Sequence, residues 1–391
     1  VWAYLEQNGT ERWAIGHPSF GTRRRSPSGE KWFTKKAAQD ALRAMLVDAA
    51  RGELVDPSRQ QLGAYLDEYL DGLRVGRATL ASYRKNVRLH IKPALGTVPL
   101  SALTTSRLNT LYRQLERSGR KDHREGEGLS PRTVLYIHTI LSGALAAAVK
   151  SQRLARNPAA AATPPTARQA KAPEMHPWSA RQLSVFLAWA EAVGQAWQPL
   201  WHVLANTGMR RGEALALRWR DVDLDAGTLR VRRSAGMVRI AGESAEVVEG
   251  DTKTGKPRAV DLDDATAAVL RAHRKARGLL ALQLAREDAL VFGDLEGQLA
   301  NPEHVSRQFA RDLARCRKAI GEDTLPVIRL HDLRHTHATL LLLAREAPHI
   351  VSQRLGHASP VVTMTIYAHV LPGNQRQAAD RFAELIREAG A

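Results

Sequence analysis

The stretch TPPTARQAKAPEMHP, residues 163 to 177, sets four prolines in fifteen positions. Proline fixes φ and carries no amide hydrogen, so neither a helix interior nor a sheet interior can run through such a segment. It is polar, bears Arg168 and Lys171, and reads as an extended linker. Whatever lies on either side must bury its apolar surface separately. The chain has 391 residues, more than one core comfortably fills, so a multidomain protein is expected.

Ahead of the linker the pattern changes once. VWAYLEQ and ERWAIGH alternate around Asn8-Gly9, a type I′ turn signal, and a third, basic strand is expected through Gly21-Thr22-Arg23-Arg24-Arg25. Thr34 caps a helix expected to end at Gly52. Residues 1 to 55 thus read as a three-stranded sheet backed by one helix. Residues 56 to 162 read as all helical. Leu62, Tyr65, Leu66, Tyr69 and Leu70 keep helical spacing, Thr79 opens a second helix, and Ser130-Pro131 starts a long one ending before Asn157-Pro158. Residues 178 to 391 are mostly helical, with Ser179 as a cap. The exception is roughly 215 to 262, where short strands joined by turns form a small antiparallel sheet. The fold class is therefore mainly α and multidomain.

Charge narrows the partner. There are 57 Lys and Arg against 40 Asp and Glu, a formal +17, which suits a polyanion such as nucleic acid. A coding bias toward Arg and Ala would give the same excess. Candidate phosphate contacts are Arg23, Arg24, Arg25, Lys35 and Lys36 in the first segment, Arg84, Lys85 and Arg88 in the second, and Lys171 in the linker. Each also reads as an ordinary solvated side chain. The single cysteine, Cys316, excludes an intrachain disulfide and falls in a helical apolar pattern, as a packed thiol would. No apolar run reaches the roughly 18 residues of a membrane span, and the first residues lack a signal-peptide core. A soluble, reducing, cytoplasmic setting is expected.

Four short motifs follow the linker. In HDLRHTHA, residues 331 to 338, a helical wheel gathers His331, Arg334 and His335 on one arc, with Leu333 and Leu340 opposite. His337 lies nearer the apolar side and reads as a core histidine. No zinc-binding HExxH spacing occurs, and Arg334 beside His331 would repel a cation, so no metal is expected. In ANTGMRRGEALAL, Thr207-Gly208 stops a helix, and Arg210 and Glu213 stand one turn apart. In GDTKTGKPRAVDL, Thr254-Gly255 reads as a hairpin tip with Lys253 beside it. In RLGHASPVVTMTIYAHV, Gly356 ends a helix, His357 follows, and Pro360 opens the next helix, which carries Tyr367. Singly these are a polar helix face, a surface ion pair, a solvated lysine and a core tyrosine.

In this order, TGMRRGE, KTG, HDLRH, LGHAS and then a tyrosine resemble the tyrosine recombinases, the phage-integrase family, over residues 178 to 391. More loosely, on element order and Phe33-Thr34-Lys35-Lys36-Ala37, residues 1 to 55 resemble that family's arm-type DNA-binding domain and residues 56 to 162 its helical core-binding domain. The resemblance implies catalytic roles for Arg210, Lys253, His331, Arg334, His357 and Tyr367, with Glu213 in support. Arg211 and Lys256 are the fallbacks for Arg210 and Lys253. It implies a site-specific integrase of a phage or integrative element that cuts and rejoins DNA through a 3′-phosphotyrosine, with no metal or nucleotide cofactor. The implied partners are double-stranded attachment sites, a homotetramer on two sites, a DNA-bending host factor and an excisionase, in a nucleoid-associated setting. A regulator that keeps the fold without cutting, and a type IB topoisomerase, are the rival expectations. The intact set of six argues against the first and the separate arm-like segment against the second.

The chemistry agrees with the residue types. A phosphodiester attacked in line gathers charge on its non-bridging oxygens, and Arg210 and Arg334 offer planar forks for them. A phenol ionises more easily than an alcohol and leaves again in the reverse step, so bond energy is kept. Lys253 is the expected proton donor to the departing 5′-oxygen. For His331 the sequence leaves both a base and a hydrogen-bond donor open.

Overall fold

The computed structural model describes residues 1–17, 21–25, 30–50, 60–122, 126–171, 175–240, 242, 244–252, 255–367 and 375–389. The chain forms two compact units, Val1–Pro173 with Arg239–Glu243 and Glu174–Val238 with Ser244–Ala391.

The first unit holds two separate cores. Strands β1 (Trp2–Leu5), β2 (Glu11–His17) and β3 (Gly21–Arg23) form an antiparallel sheet in that order. Gly9 turns between the first two at φ +78°. Helix α1 (Lys35–Ala50) is capped by the Thr34 hydroxyl, which accepts from the Ala37 amide at 3.1 Å. It lays Ala38 and Met45 on Ile15 and Trp32. The expected stop at Gly52 lies outside the described residues.

The second core is all helical. It is built from α2 (Leu62–Asp71), α3 (Arg77–Asn86), a π turn (Val87–Ile91), α4 (Lys92–Leu95), α5 (Thr105–Ser118) and α6 (Pro131–Lys150). Pro93 has no amide hydrogen and its ring presses on the carbonyl four residues back. The π turn just before it, where the Lys92 amide reaches the Val87 carbonyl, widens the helix there. Two expectations shift. The second helix opens at Arg77 rather than Thr79. The helix from Pro131 does end before Asn157, but at Lys150, a turn short of Leu154, where Gln152 takes φ +55°.

A third expectation is corrected. By length and composition α6 is apolar enough to cross a bilayer. Thr133, His138 and Ser142 interrupt its apolar run without adding charge, which is why the run looked short. Val134, Ile137, Leu141, Ala144 and Leu145 pack into the helical core, and Tyr65 donates to the Ala144 carbonyl at 2.7 Å.

The second unit begins with α7 (Ala180–Ala192), opened by a capping box of Ser179 and Gln182, then α8 (Gln198–Thr207) and α9 (Arg211–Leu215). Strands β4 (Val222–Asp223), β5 (Thr228–Val231), β6 (Arg233–Val238), β7 (Glu246–Asp251) and β8 (Arg258–Asp261) follow. Helices α10 (Asp264–Leu280), α11 (Pro302–Ile320), α12 (Asp332–Leu343), α13 (Pro348–Leu355), α14 (Pro360–Tyr367) and α15 (Gln375–Ala389) complete it. Its main core stacks Trp178, Phe186, Trp201 and Phe309. Cys316 is fully buried there, its thiol pushed up to about 11 by burial, as a packed thiol requires. A smaller cluster joins Ala338, Leu342, Val351, Leu355 and Tyr367.

Thr254, at the expected hairpin tip, lies outside the described residues, but the strands flanking it do not pair with each other. Strand β7 pairs with β6, while β8 pairs with β5 in the order β4-β5-β8. The described strands on either side, β7 and β8, therefore belong to different small sheets. Strand pairing is non-local, and the local turn signal could not reveal it.

Candidate active site

Two left-handed glycines bring the site together. Gly208 caps α8 at φ +64° and turns the chain so that Arg210 becomes the N-cap of α9. Gly356 caps α13 at φ +66° and delivers His357. A side chain at Gly208 would drive its Cβ to 2.7 Å from both His337 and Leu355, so the turn sits close against α12 and α13.

Glu213 is the anchor. It is 1% exposed. It accepts from the Arg210 guanidinium at 2.7 Å and from the Arg210 amide at 2.9 Å. Arg258 on β8 adds bonds to both oxygens, at 3.1 and 2.6 Å. Burial alone would raise this carboxyl. The hydrogen bonds and charge of Arg258, with those of Arg210, outweigh it and hold the group below the usual carboxylate range. The pair expected at the surface is thus a buried carboxylate between two guanidiniums. Arg210 also donates to the Gly356 carbonyl at 3.3 Å, tying α9 to the loop of His357.

Arg334, on α12, is 3% exposed. One terminal nitrogen donates to the Gly208 carbonyl at 2.7 Å; the other is buried and has no hydrogen-bond partner among the described residues. Burial, then the charge of Arg210, pulls its pKa down to about 9, so it stays a cation near neutrality. His357 contacts the Thr363 hydroxyl at 2.8 Å. Burial and the charges of Arg334 and Arg210 lower its pKa to about 4. His331 opens to solvent at the start of α12. Partial desolvation, with His335, Arg334 and Arg210 nearby, still favours its neutral form. Its ring meets that of His335 edge-on, centroids 5.1 Å apart.

Tyr367 ends α14 and is 1% exposed. Burial raises its pKa to about 12, opposed by the charge of Arg334. Its hydroxyl lies 2.7 Å from Nδ1 of His335.

Arg210, Glu213, His331, Arg334, His357 and Tyr367 therefore share one neighbourhood. Lys253 lies outside the described residues. Of the fallbacks, Arg211 donates to the Ser306 hydroxyl, and Lys256 is exposed. His337 is the core histidine expected, bonded to the Ala205 carbonyl at 2.9 Å and to Arg354 at 3.1 Å. Two residues were missed. Arg258 had a signal, because period-two alternation in RAVD puts it on the face of buried Val260. His335 shared the polar arc, but nothing local told of a tyrosine 32 residues on.

The phosphate-contact candidates belong to the first unit. Arg24 stacks on Tyr4 at 4.9 Å and Lys35 lies 5.9 Å from the Trp13 ring. Arg84 pairs with Asp71 at 2.8 Å. Arg25, Lys36, Lys85, Arg88 and Lys171 are exposed and Arg23 is half-buried. Lys85 also lines a groove of about 790 Å³ with His90, Lys121 and Arg132, whose basic side chains suit phosphates. Among the described residues no cluster of His, Cys, Asp and Glu could hold a metal ion.

Comparison with known proteins points the same way. The sequence model described as the phage integrase family matches residues 130–373. A tyrosine recombinase XerC-like protein of Caldanaerobacter subterraneus subsp. tengcongensis is 26% identical over 372 residues, covering 90% of each chain. The ICEBs1 integrase of Bacillus subtilis is 27% identical over 272 residues, 68% of this chain and 69% of that one. Among solved structures, the Tn1549 transposon integrase in complex with transposon right end DNA superposes with a TM-score of 0.66 at 20% identity, over 83% of this chain and 99% of that one. A lambda integrase tetramer bound to a Holliday junction gives a TM-score of 0.57 at 20% identity, over 93% and 94%. At that identity these two likenesses speak for the fold.

Proposed function

The chain belongs to the phage integrase family, the tyrosine recombinases of phages and integrative elements, and from that premise we propose that it cleaves and rejoins double-stranded attachment sites with Tyr367 as nucleophile. The observation that carries this reading is Arg334. A buried guanidinium that, among the described residues, has no carboxylate of its own and one unpartnered terminal nitrogen invites an oxyanion, and Arg210, His331 and His357 surround it.

The phosphate sits between Arg210 and Arg334, which stabilise charge on its non-bridging oxygens. Glu213 and Arg258 hold Arg210 in place. Neutral His331 and His357 donate hydrogen bonds to phosphate oxygens. Tyr367 Oη bonds to phosphorus as the bond to the 5′-oxygen breaks, and Lys253 protonates that oxygen. The phenol later leaves when a 5′-hydroxyl attacks, so no external energy source enters.

We assign residues 1 to 55 to arm-type DNA, 56 to 162 to the core site, 163 to 177 to a linker and 178 to 391 to catalysis. The basic residues named above contact phosphates, and four protomers act on two sites. A nicked duplex carrying the attachment site tests the reading. Cleavage frees a short strand that cannot religate, and the protein should remain linked to DNA through the peptide holding Tyr367. Site-specific binding without any covalent product would favour a non-cutting regulator.

A further inference from the structure

Tyr367 is walled off from water at 1% exposure, and the hydrogen-bond partner of its hydroxyl is Nδ1 of His335 at 2.7 Å. The two rings are tilted, centroids 5.8 Å apart. His335 sits one residue beyond Arg334 on α12, so the helix that holds the oxyanion clamp also meets the nucleophile. With the ring proton on Nε2, Nδ1 is free to accept. We infer that His335 is the base that takes the phenolic proton of Tyr367 during strand cleavage, leaving His331 to the phosphate.

The inference deepens the reading of Tyr367 as nucleophile and rests on it. Each cleavage breaks Oη–H and forms Nδ1–H, forms Oη–P and breaks P–O5′, while Lys253 supplies the proton to O5′. Ligation reverses every transfer. Burial favours the neutral forms of both partners. It raises the phenol to about 12 and lowers the imidazole, with Asp332 acting to raise it and Arg334 and Arg329 to lower it further. A full transfer ahead of attack is therefore uphill, and the proton leaves only as the bond to phosphorus forms. The charged and titratable groups facing His335 are Asp332, Arg329, Arg334, His331, His357 and Tyr367. Asp332, 8% exposed, is the negative charge that steadies the imidazolium.

His331 is the other candidate. It stacks edge-on against His335, at the solvent-facing start of α12, whereas His335 already has its nitrogen on the phenol.

The test is single-turnover cleavage of the nicked duplex by full-length protein, with DNA binding measured alongside. His335→Ala should slow cleavage roughly 10²–10⁴-fold, the range of a lost general base, with DNA affinity kept. Added imidazole should restore rate in proportion to its concentration. His335→Gln keeps a hydrogen-bond acceptor but cannot carry the proton. Its rate should climb with pH through the range where the natural protein is level. Normal cleavage by either variant overturns the inference. So does a slow variant that imidazole does not rescue and whose pH profile keeps the natural shape, since that is what a packing role gives. Should His335→Ala fail to fold, the glutamine variant's pH profile decides. Tyr367→Phe separates the two levels. A covalent adduct surviving in it would remove the nucleophile and this inference together. Loss of adduct there, with normal His335 variants, would remove His335 alone.

Discussion

Glu213 grips Arg258 through both carboxylate oxygens, at 3.1 and 2.6 Å, while the same carboxylate holds Arg210. One buried negative charge thus orders two cations, one on a strand and one at a helix start. Truncating Arg258 leaves Glu213 buried with half its partners, and removing one member of a buried pair costs about 3–5 kcal/mol. Arg258→Ala should lower the thermal midpoint accordingly. The pH sign follows from the depressed carboxyl. Its stabilisation is complete above the ordinary carboxylate pKa and disappears as pH falls through the folded value. Without Arg258 that folded value rises, so acid unfolding should begin at higher pH. Circular dichroism during acid titration checks this; an unmoved acid midpoint would free Glu213 from Arg258.

Gly208→Ala attacks the site through the backbone. The position has φ +64°, and the added Cβ would stand 2.7 Å from His337 and Leu355. Left-handed strain and overpacking each cost about 1 kcal/mol or more. The Gly208 carbonyl also receives Arg334, so cleavage should fall further than stability. Urea unfolding beside single-turnover cleavage measures both. A fall in cleavage no larger than the loss of folded protein would mean that Arg334 is held by other means.

Much of this site was legible because its residues stand at element boundaries. Gly208 and Gly356 mark helix ends, and Arg210 and His357 follow them at once. HDLRH carries its own periodicity. What could not be read was pairing across space. The KTG segment looks like a hairpin because Thr254-Gly255 is a good turn, yet the strands around it join different sheets. His335 and Tyr367 meet only because α13 folds α14 back onto α12, a packing decision made by Leu342, Val351 and Leu355. The first segment was readable from alternation and a cap, since β1, β2 and α1 are local structures.

Arg334→Lys keeps the charge and removes the fork. Arg334 spends one terminal nitrogen on Gly208, and the other, without a partner among the described residues, is the one the proposed reaction gives to phosphate. A lysine ammonium is a compact point charge and cannot span both. Cleavage should drop roughly 10²–10³-fold, the scale of one lost oxyanion donor, while DNA affinity, set by many phosphate contacts, stays close to natural. Cleavage rates and filter binding on the same nicked site measure the two. Undiminished cleavage would take Arg334 away from the reacting phosphate.

His337 should make the second unit acid-sensitive. Its ring gives Nδ1–H to the Ala205 carbonyl and accepts from Arg354. Burial and the Arg354 charge lower its pKa from 6.5 to about 4. The unfolded chain then binds a proton that the folded one refuses. Stability falls as pH drops from about 6.5 toward 4, at roughly 1.4 kcal/mol per pH unit while that difference lasts. His337→Gln should be less stable near neutrality and flatter with pH. Urea midpoints at about pH 7 and about pH 5 compare the slopes; parallel slopes would assign the acid sensitivity to other groups.

The last helix has an apolar face to be covered. Phe382, Leu385 and Ile386 follow one another at helical spacing and are 66, 57 and 60% exposed. Side chains that touch little in their own unit contribute little to its stability, so Phe382→Asp with Leu385→Asp should shift the thermal midpoint by an amount within about 0.5 kcal/mol. In the proposed four-protomer assembly such a face is where a neighbouring copy gains apolar burial. The double variant should therefore bind and cleave a single nicked site while failing to form the complex of two sites, read by sedimentation with paired duplexes. A large fall in thermal midpoint instead would mean that the helix packs on its own unit in solution.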